Sequence, residues 1–211
     1  MRALLAFAFT LLLPPAAAGA QPARSERRYT PRTGWQVPSD ARFYESWFGD
    51  QLRAMDEPVL AGASDLNRFR TRFRLLVLPS DDSAWVVRID EPVRGAALLT
   101  VVELNRAGPY APGRVARRLR SQFGFEDLAE VHAALDRLRF DSLPMQEPLP
   151  EEPAGECNQQ GGCEIVLCVH ATHYVLERLD RSGRRFVERS GCGLPRPFGE
   201  LIGLLRTLRE P

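Results

Sequence analysis

Lysine is absent from this 211-residue chain, so all 28 basic side chains are arginine. That absence excludes Schiff-base catalysis on a lysine, the phosphate-binding lysine of a P-loop and a Ser-Lys nucleophilic pair. Histidine is scarce at three, and cysteine at four, with every cysteine in the last third. Strong net charge is also missing. No Gly-x-Ser-x-Gly turn occurs, and Ser190-Gly191-Cys192-Gly193 does not supply one. The glycine-rich stretches lack the strand-to-helix setting of a phosphate loop. No catalytic motif stands out.

What is present begins at the N-terminus. Arg2 supplies a positive end, Leu4 to Leu13 a short apolar run, and Ala18-Gly19-Ala20 a small-residue site before Gln21. The run is too short to span a bilayer, so residues 1–20 read as a secretory signal cut after Ala20. No cysteine follows the cut, so no stable membrane anchor is expected. The lysine-free, Ala-, Pro- and Gly-rich composition fits a GC-rich bacterial genome, and the expected destination is periplasmic or extracellular. With Arg2 removed, the 28 basic residues become 27 against 27 acidic ones. A neutral chain has no global field for a polyanion, so no nucleic acid partner is expected. Two local clusters remain. Arg114, Arg117, Arg118 and Arg120 read first as a solvated strand face, with a polyanion site as the alternative. Glu147, Glu151, Glu152 and Glu156 read as a solvated loop.

Residues 21–38, with Pro22, Pro31 and Pro38 and no apolar period, read as a flexible lead-in. A single domain is expected over 39–211, starting with a helix over 39–56. Ser39 or Asp40 would cap that helix, and Phe43, Trp47, Phe48, Leu52 and Met55 recur at helical spacing. From Phe69 the period becomes two: Phe69, Thr71, Phe73, Leu75 and Val77 alternate with Arg70, Arg72 and Arg74, the pattern of a half-buried strand. Further strands are expected at Trp85–Asp90, Ala96–Leu104 and Arg114–Gln122, joined by short links into an antiparallel meander. An amphipathic helix follows over Glu126–Arg139, with Leu128, Val131, Leu135 and Leu138 in one stripe. A long surface loop over 144–162 leads to a strand within Glu164–Leu179. A turn at Asp180-Arg181-Ser182-Gly183 then returns the chain through Arg184–Arg189, and a last amphipathic helix carries Phe198, Leu201, Ile202, Leu204, Leu205 and Leu208. The expected fold is α+β: an antiparallel sheet, meander plus C-terminal hairpin, with amphipathic helices packed on one face.

Three features together carry a resemblance: the meander with its Gly108-Pro109-Tyr110-Ala111-Pro112-Gly113 loop, the helix closing on Phe140-Asp141-Ser142-Leu143-Pro144, and the strand Thr172-His173-Tyr174-Val175-Leu176-Glu177 followed by Gly183 and a terminal helix. Over about residues 69–210 the chain resembles a group of uncharacterised bacterial secreted proteins. The resemblance implies a fold, no activity and no functional residues. The cysteine-bearing loop departs from the simpler members of that group.

In an oxidising compartment the four cysteines read as disulfides. Cys157 and Cys163 flank a glycine-rich turn, which favours Cys157–Cys163 with Cys168–Cys192; the swapped set, Cys157–Cys168 with Cys163–Cys192, stays open. A simple hairpin sets Cys192 opposite residue 171, leaving Cys168 about 10 Å along the strand, so the preferred set needs a bulge or a departing chain end. Metal is the rival reading, because Cys157, Cys163, Cys168, His170 and His173 are close in sequence. Their spacing matches no usual zinc signature, and His170 and His173 face opposite sides of a strand. No metal and no cofactor are expected.

These features point to an exported soluble protein acting as a periplasmic binding or interaction module with a protein partner in the cell envelope, its contact surface the arginine-bearing sheet face left open by the helices. The alternative is a hydrolase or metal-dependent enzyme centred on His170, His173 and Glu177.

Overall fold

Alternating and apolar runs become strands, and 3.6-period runs become helices, in the expected order. The computed structural model describes residues 28–60, 66–107, 111–146, 171–192 and 194–209. Within these lie α1 (Asp40–Ala54), β1 (Phe69–Leu78), β2 (Trp85–Pro92), β3 (Ala97–Leu104), β4 (Val115–Phe123), α2 (Phe125–Arg137), a 3-10 turn (Phe140–Ser142), β5 (His173–Asp180), β6 (Gly183–Ser190) and α3 (Arg196–Thr207). The signal segment, Cys157, Cys163, Cys168, His170 and the acidic stretch lie outside the described residues.

The strands form one sheet in the order β4-β3-β2-β1-β5-β6, with every neighbouring pair antiparallel. The fold is α+β, with the meander and C-terminal hairpin as expected. The hairpin pairs Asp180 with Gly183 around Arg181-Ser182, and Gly183 takes φ +119°, a conformation that only glycine adopts without strain. The long return from β4 through α2 brings β5 beside β1, so the chain's first strand lies inside the sheet between β2 and β5.

Side-chain alternation splits the core into two layers. Phe73, Leu75 and Val77 of β1, with Trp85, Val87 and Ile89 of β2, face α2 and α3, where Val131, Leu135, Phe198, Leu201 and Leu205 are buried. The opposite face carries Leu76, Leu78, Val86, Val102 and Val175 against Phe48, Leu52 and Met55 of α1. Thus α2 and α3 share one face, and α1 adds a third layer on the other. The open sheet face anticipated as a contact surface is closed. Residues 28–38 take part in closing it. Tyr29, Thr30 and Trp35 are buried, Glu45 accepts from the Thr30 N–H at 2.8 Å, and Trp35 stacks on Tyr44 at 4.4 Å. This part of the expected flexible lead-in is packed because its few aromatic side chains reach the α1 layer.

Helix ends depart from the expected chemistry. Ser39 stands at the start of α1 in helical geometry and makes no side-chain cap. At the far end Asp56 adopts φ +52°, its N–H donates to the Arg53 carbonyl at 3.0 Å, and the Glu57 N–H donates to the Leu52 carbonyl at 2.9 Å. This is a Schellman closure with aspartate where glycine is usual. It turns Glu57 down into the sheet face, a placement with consequences for the charged groups below.

Candidate functional site

The proposed enzyme centre does not assemble among the described residues. His173 opens β5 with its side chain 24% exposed, its Nδ1 lies 2.9 Å from Glu188 Oε1, and its ring meets Trp47 edge-on at 4.8 Å. Glu177 is on the same face four residues further on, about 13 Å away at strand rise. It is 1% exposed and committed elsewhere: Arg74 Nε donates to Oε2 at 2.7 Å, and Arg184 binds Oε1. Burial alone would raise the Glu177 pKa, but attraction to Arg74 and Arg184, with their hydrogen bonds, outweighs it and holds the carboxyl below the usual carboxylate range. A doubly bound carboxylate held below the usual range is a poor proton carrier near neutral pH. Tyr174 points to the other face and packs edge-on to Phe198 at 6.4 Å; the Thr172 carbonyl accepts from the Gly191 N–H at 2.7 Å. His132 pairs with Glu91 at 3.4 Å on α2, remote from both. Among the described residues, no group of three His, Cys, Asp or Glu side chains is arranged to hold a metal ion, and no helix is long and apolar enough to cross a membrane. Cys192 is not a free thiol, and its register, with His173 opposite Ser190, sets it across from residue 171.

Glu177 belongs instead to a buried lattice of ions on the α1 face. Arg74, 0% exposed, also donates to the Pro58 carbonyl at 2.7 Å and lies 3.7 Å from Glu57. Glu57, delivered by the turn after α1, accepts from Arg88 at 2.6 Å. Arg88 reaches Asp90 at 3.0 Å and Thr100 at 3.3 Å, and Asp90 accepts from Arg72 at 2.8 Å. Arg184 closes the far end on the Tyr29 carbonyl. Burial pulls the Arg88 pKa down, but Glu57 and Asp90 more than restore it, leaving it raised. The lattice spans β2, β1, β5 and β6 and fastens α1 and residue 29 to them, so it acts as a polar seam between layers. Arg72 and Arg74, expected to face solvent, are buried because α1 and residues 57–58 lie over them.

Sequence reasoning missed Glu57, Asp90 and Glu188. For Asp90 a signal exists: Arg88 and Asp90 fall on one face of an otherwise apolar strand, an unusual i, i+2 pairing of opposite charges. For Glu57 none does, because its position depends on the left-handed residue before it.

The two sheet edges differ sharply. Along β6, residues 143–146 cover the edge: the Glu188 N–H donates to the Met145 carbonyl at 2.7 Å, Arg189 donates to Pro144, and Arg185 donates to Leu143. Along β4 no backbone hydrogen bond beyond the β3 ladder is made by the described residues. Every β4 residue except Leu119 and Phe123 is exposed. A bulge skips Ala116 between the Glu103 and Leu104 pairings, and 117–123 then run in regular register. Arg118 donates to the Met55 carbonyl at 2.6 Å and Arg117 to the Arg209 carbonyl at 3.1 Å. These acceptors are neutral, and among the described residues no carboxylate balances either cation.

Separately, a hollow of about 540 Å³ lies where Phe69, Arg70, Thr71 and Val93 meet the hairpin tip at Asp180, Arg181 and Ser182. It gathers no histidine, cysteine or glutamate. No protein-family model and no curated protein matches the chain, so the functional reading rests on these residues.

Proposed function

We propose that the chain is an exported soluble interaction module of the bacterial cell envelope, working in the periplasm or outside the cell, which binds a protein partner and performs no catalysis. The observation that carries this reading is the inequality of the edges: one sheet edge is covered by residues 143–146, and the other, β4, is exposed and left open by the described residues. An unpaired edge is a template for another chain and is ordinarily blunted unless it is used. The enzyme alternative loses support, since Glu177 is locked between Arg74 and Arg184 and lies remote from His173.

A photo-crosslinking residue placed at Gln122 on β4, in protein exported under its own signal, tests the reading. The expected result is a discrete adduct absent when the same residue replaces Asp136 on α2. Equal labelling from both positions, or none from either, would overturn it. Export carries two disulfides with it, preferred as Cys157–Cys163 and Cys168–Cys192. The secreted chain should start at Gln21 and weigh about four daltons less than its reduced form, two hydrogens per bond.

A further inference from the structure

Resting on the interaction-module reading, we infer that β4 takes its partner as an added strand, and that the partner is an extended peptide segment rich in carboxylates. Two independent features of β4 lead there. The first is the open ladder: over 117–123 the strand is regular, pairs only with β3 among the described residues, and leaves alternate N–H and C=O groups facing outward. The second is charge. Arg117, Arg118 and Arg120 lie on the strand and Arg114 just before it, with no acidic residue from 114 to 123. Among the described residues none of the four pairs with a carboxylate, although most other arginines on the sheet do. Opposite charges set across neighbouring strands attract, and like charges repel. A second copy of this chain, paired through β4 about a two-fold axis, would therefore set arginines against arginines. An incoming strand bearing Glu or Asp on both faces would meet Arg117 on one side and Arg118 and Arg120 on the other. The bulge at Ala116 bends the strand away and limits the augmentable stretch to 117–123.

The test uses the purified mature protein and three synthetic eight-residue probes: one carrying Glu on both faces of its strand among Val and Thr, one with Lys in place of Glu, and an acidic one N-methylated at alternate amides. Binding is read by fluorescence anisotropy and by amide exchange over 117–123. The acidic probe should bind, slow exchange across 117–123 and weaken as salt rises. The lysine and N-methylated probes should bind at least tenfold more weakly. The charge reversals Arg114→Glu and Arg120→Glu change exposed side chains for which no hydrogen bond or ion pair is made to another described element, and unfolding curves should match wild type; together they should cost about tenfold with the acidic probe and favour the lysine probe. Protection of β4 by acidic and basic probes alike would refute the carboxylate requirement and leave the interaction module standing. Protection of β4 that rises with protein concentration, without any probe, would replace the acidic partner with a second copy. Failure of all probes to protect β4, alongside a Gln122 adduct in cells, would overturn strand addition alone; loss of the adduct as well removes the module itself.

Discussion

Replacing Glu177 with glutamine isolates what the buried ions contribute. The substitution keeps the shape and one acceptor oxygen but removes the charge that both Arg74 and Arg184 face, and turns an amide donor toward guanidinium donors. Removing one partner of a buried pair costs about 3–5 kcal/mol. The lower end applies here, because Arg74 keeps the Pro58 carbonyl at 2.7 Å and Glu57 at 3.7 Å, and Arg184 is 17% exposed and can turn to water. A loss of about 3 kcal/mol should lower the Tm by about 6–12 °C in a chain of this size.

The pH dependence carries the sharper test. The folded-state pKa of Glu177 is depressed, so its stabilisation is fully present above the ordinary carboxylate value of 4.5 and is lost as pH falls through the folded value. Urea unfolding of wild type and Glu177→Gln should therefore differ most at pH 7, and the gap should narrow progressively below pH 4.5. A gap under about 1 kcal/mol at pH 7, or one that widens on acidification, would refute the claim that this carboxylate holds the layers together. The paired replacement Arg74→Met with Glu177→Leu should cost less than Glu177→Gln alone, since it leaves Arg74's position without a buried charge.

The α1 layer and the turn after it make further claims. Phe48 is 0% exposed and Phe43 50%; Phe48→Ala should lose about 3–5 kcal/mol by denaturant unfolding, and Phe43→Ser less than about 0.5 kcal/mol. Equal losses would contradict the docking of α1 on the sheet. Asp56→Gly should stabilise by about 0.5–1 kcal/mol, because glycine takes the left-handed position without a Cβ penalty, and destabilisation would show that the aspartate side chain matters more than its backbone. Burial pushes the Tyr44 pKa up to about 12, with Glu188 and Asp40 adding to the shift. Its contribution is complete below pH 10 and fades as pH rises toward 12. Burial also raises the Tyr29 pKa, so alkaline absorbance titration should show late-ionising tyrosine absorbance that is reduced, not abolished, in Tyr44→Phe.

Element types were legible because they rest on local periodicity. Phe69–Val77 alternates, Phe198–Leu208 repeats at helical spacing, and Asp180-Arg181-Ser182-Gly183 has the turn chemistry that closes β5 on β6. Partnerships between distant segments were not. Nothing local says that β5 pairs with β1, and it is this pairing that places Glu177 opposite Arg74. The His173–Glu188 contact likewise depends on the hairpin register and on α1 bringing Trp47 above it. The enzyme alternative grouped His173 with Glu177 by strand face, which the fold respects. Among the described residues the two do not meet, because four residues of strand separate them and Glu177 is held by Arg74 and Arg184.

The arginines expose the limit of sequence reading most clearly. Arg70, Arg72 and Arg74 on β1, and Arg117, Arg118 and Arg120 on β4, look alike in the sequence: cations interleaved with strand-forming residues. Two of the first set are buried and the second set is exposed, and what divides them is their position in the sheet. β1 is central, flanked by strands that each offer a carboxylate, Asp90 from β2 and Glu177 from β5, and it lies beneath α1. There, acidic residues from distant parts of the chain offset the cost of burying Arg72 and Arg74. β4 is terminal, has one neighbour, and that neighbour's acidic residue, Glu103, is already bound to Arg209. Among the described residues, Arg117 and Arg118 on β4 find only backbone carbonyls. The same residue type is thus a fastener in the centre and, among the described residues, a cation without a carboxylate at the edge, which is where the inferred acidic strand would add.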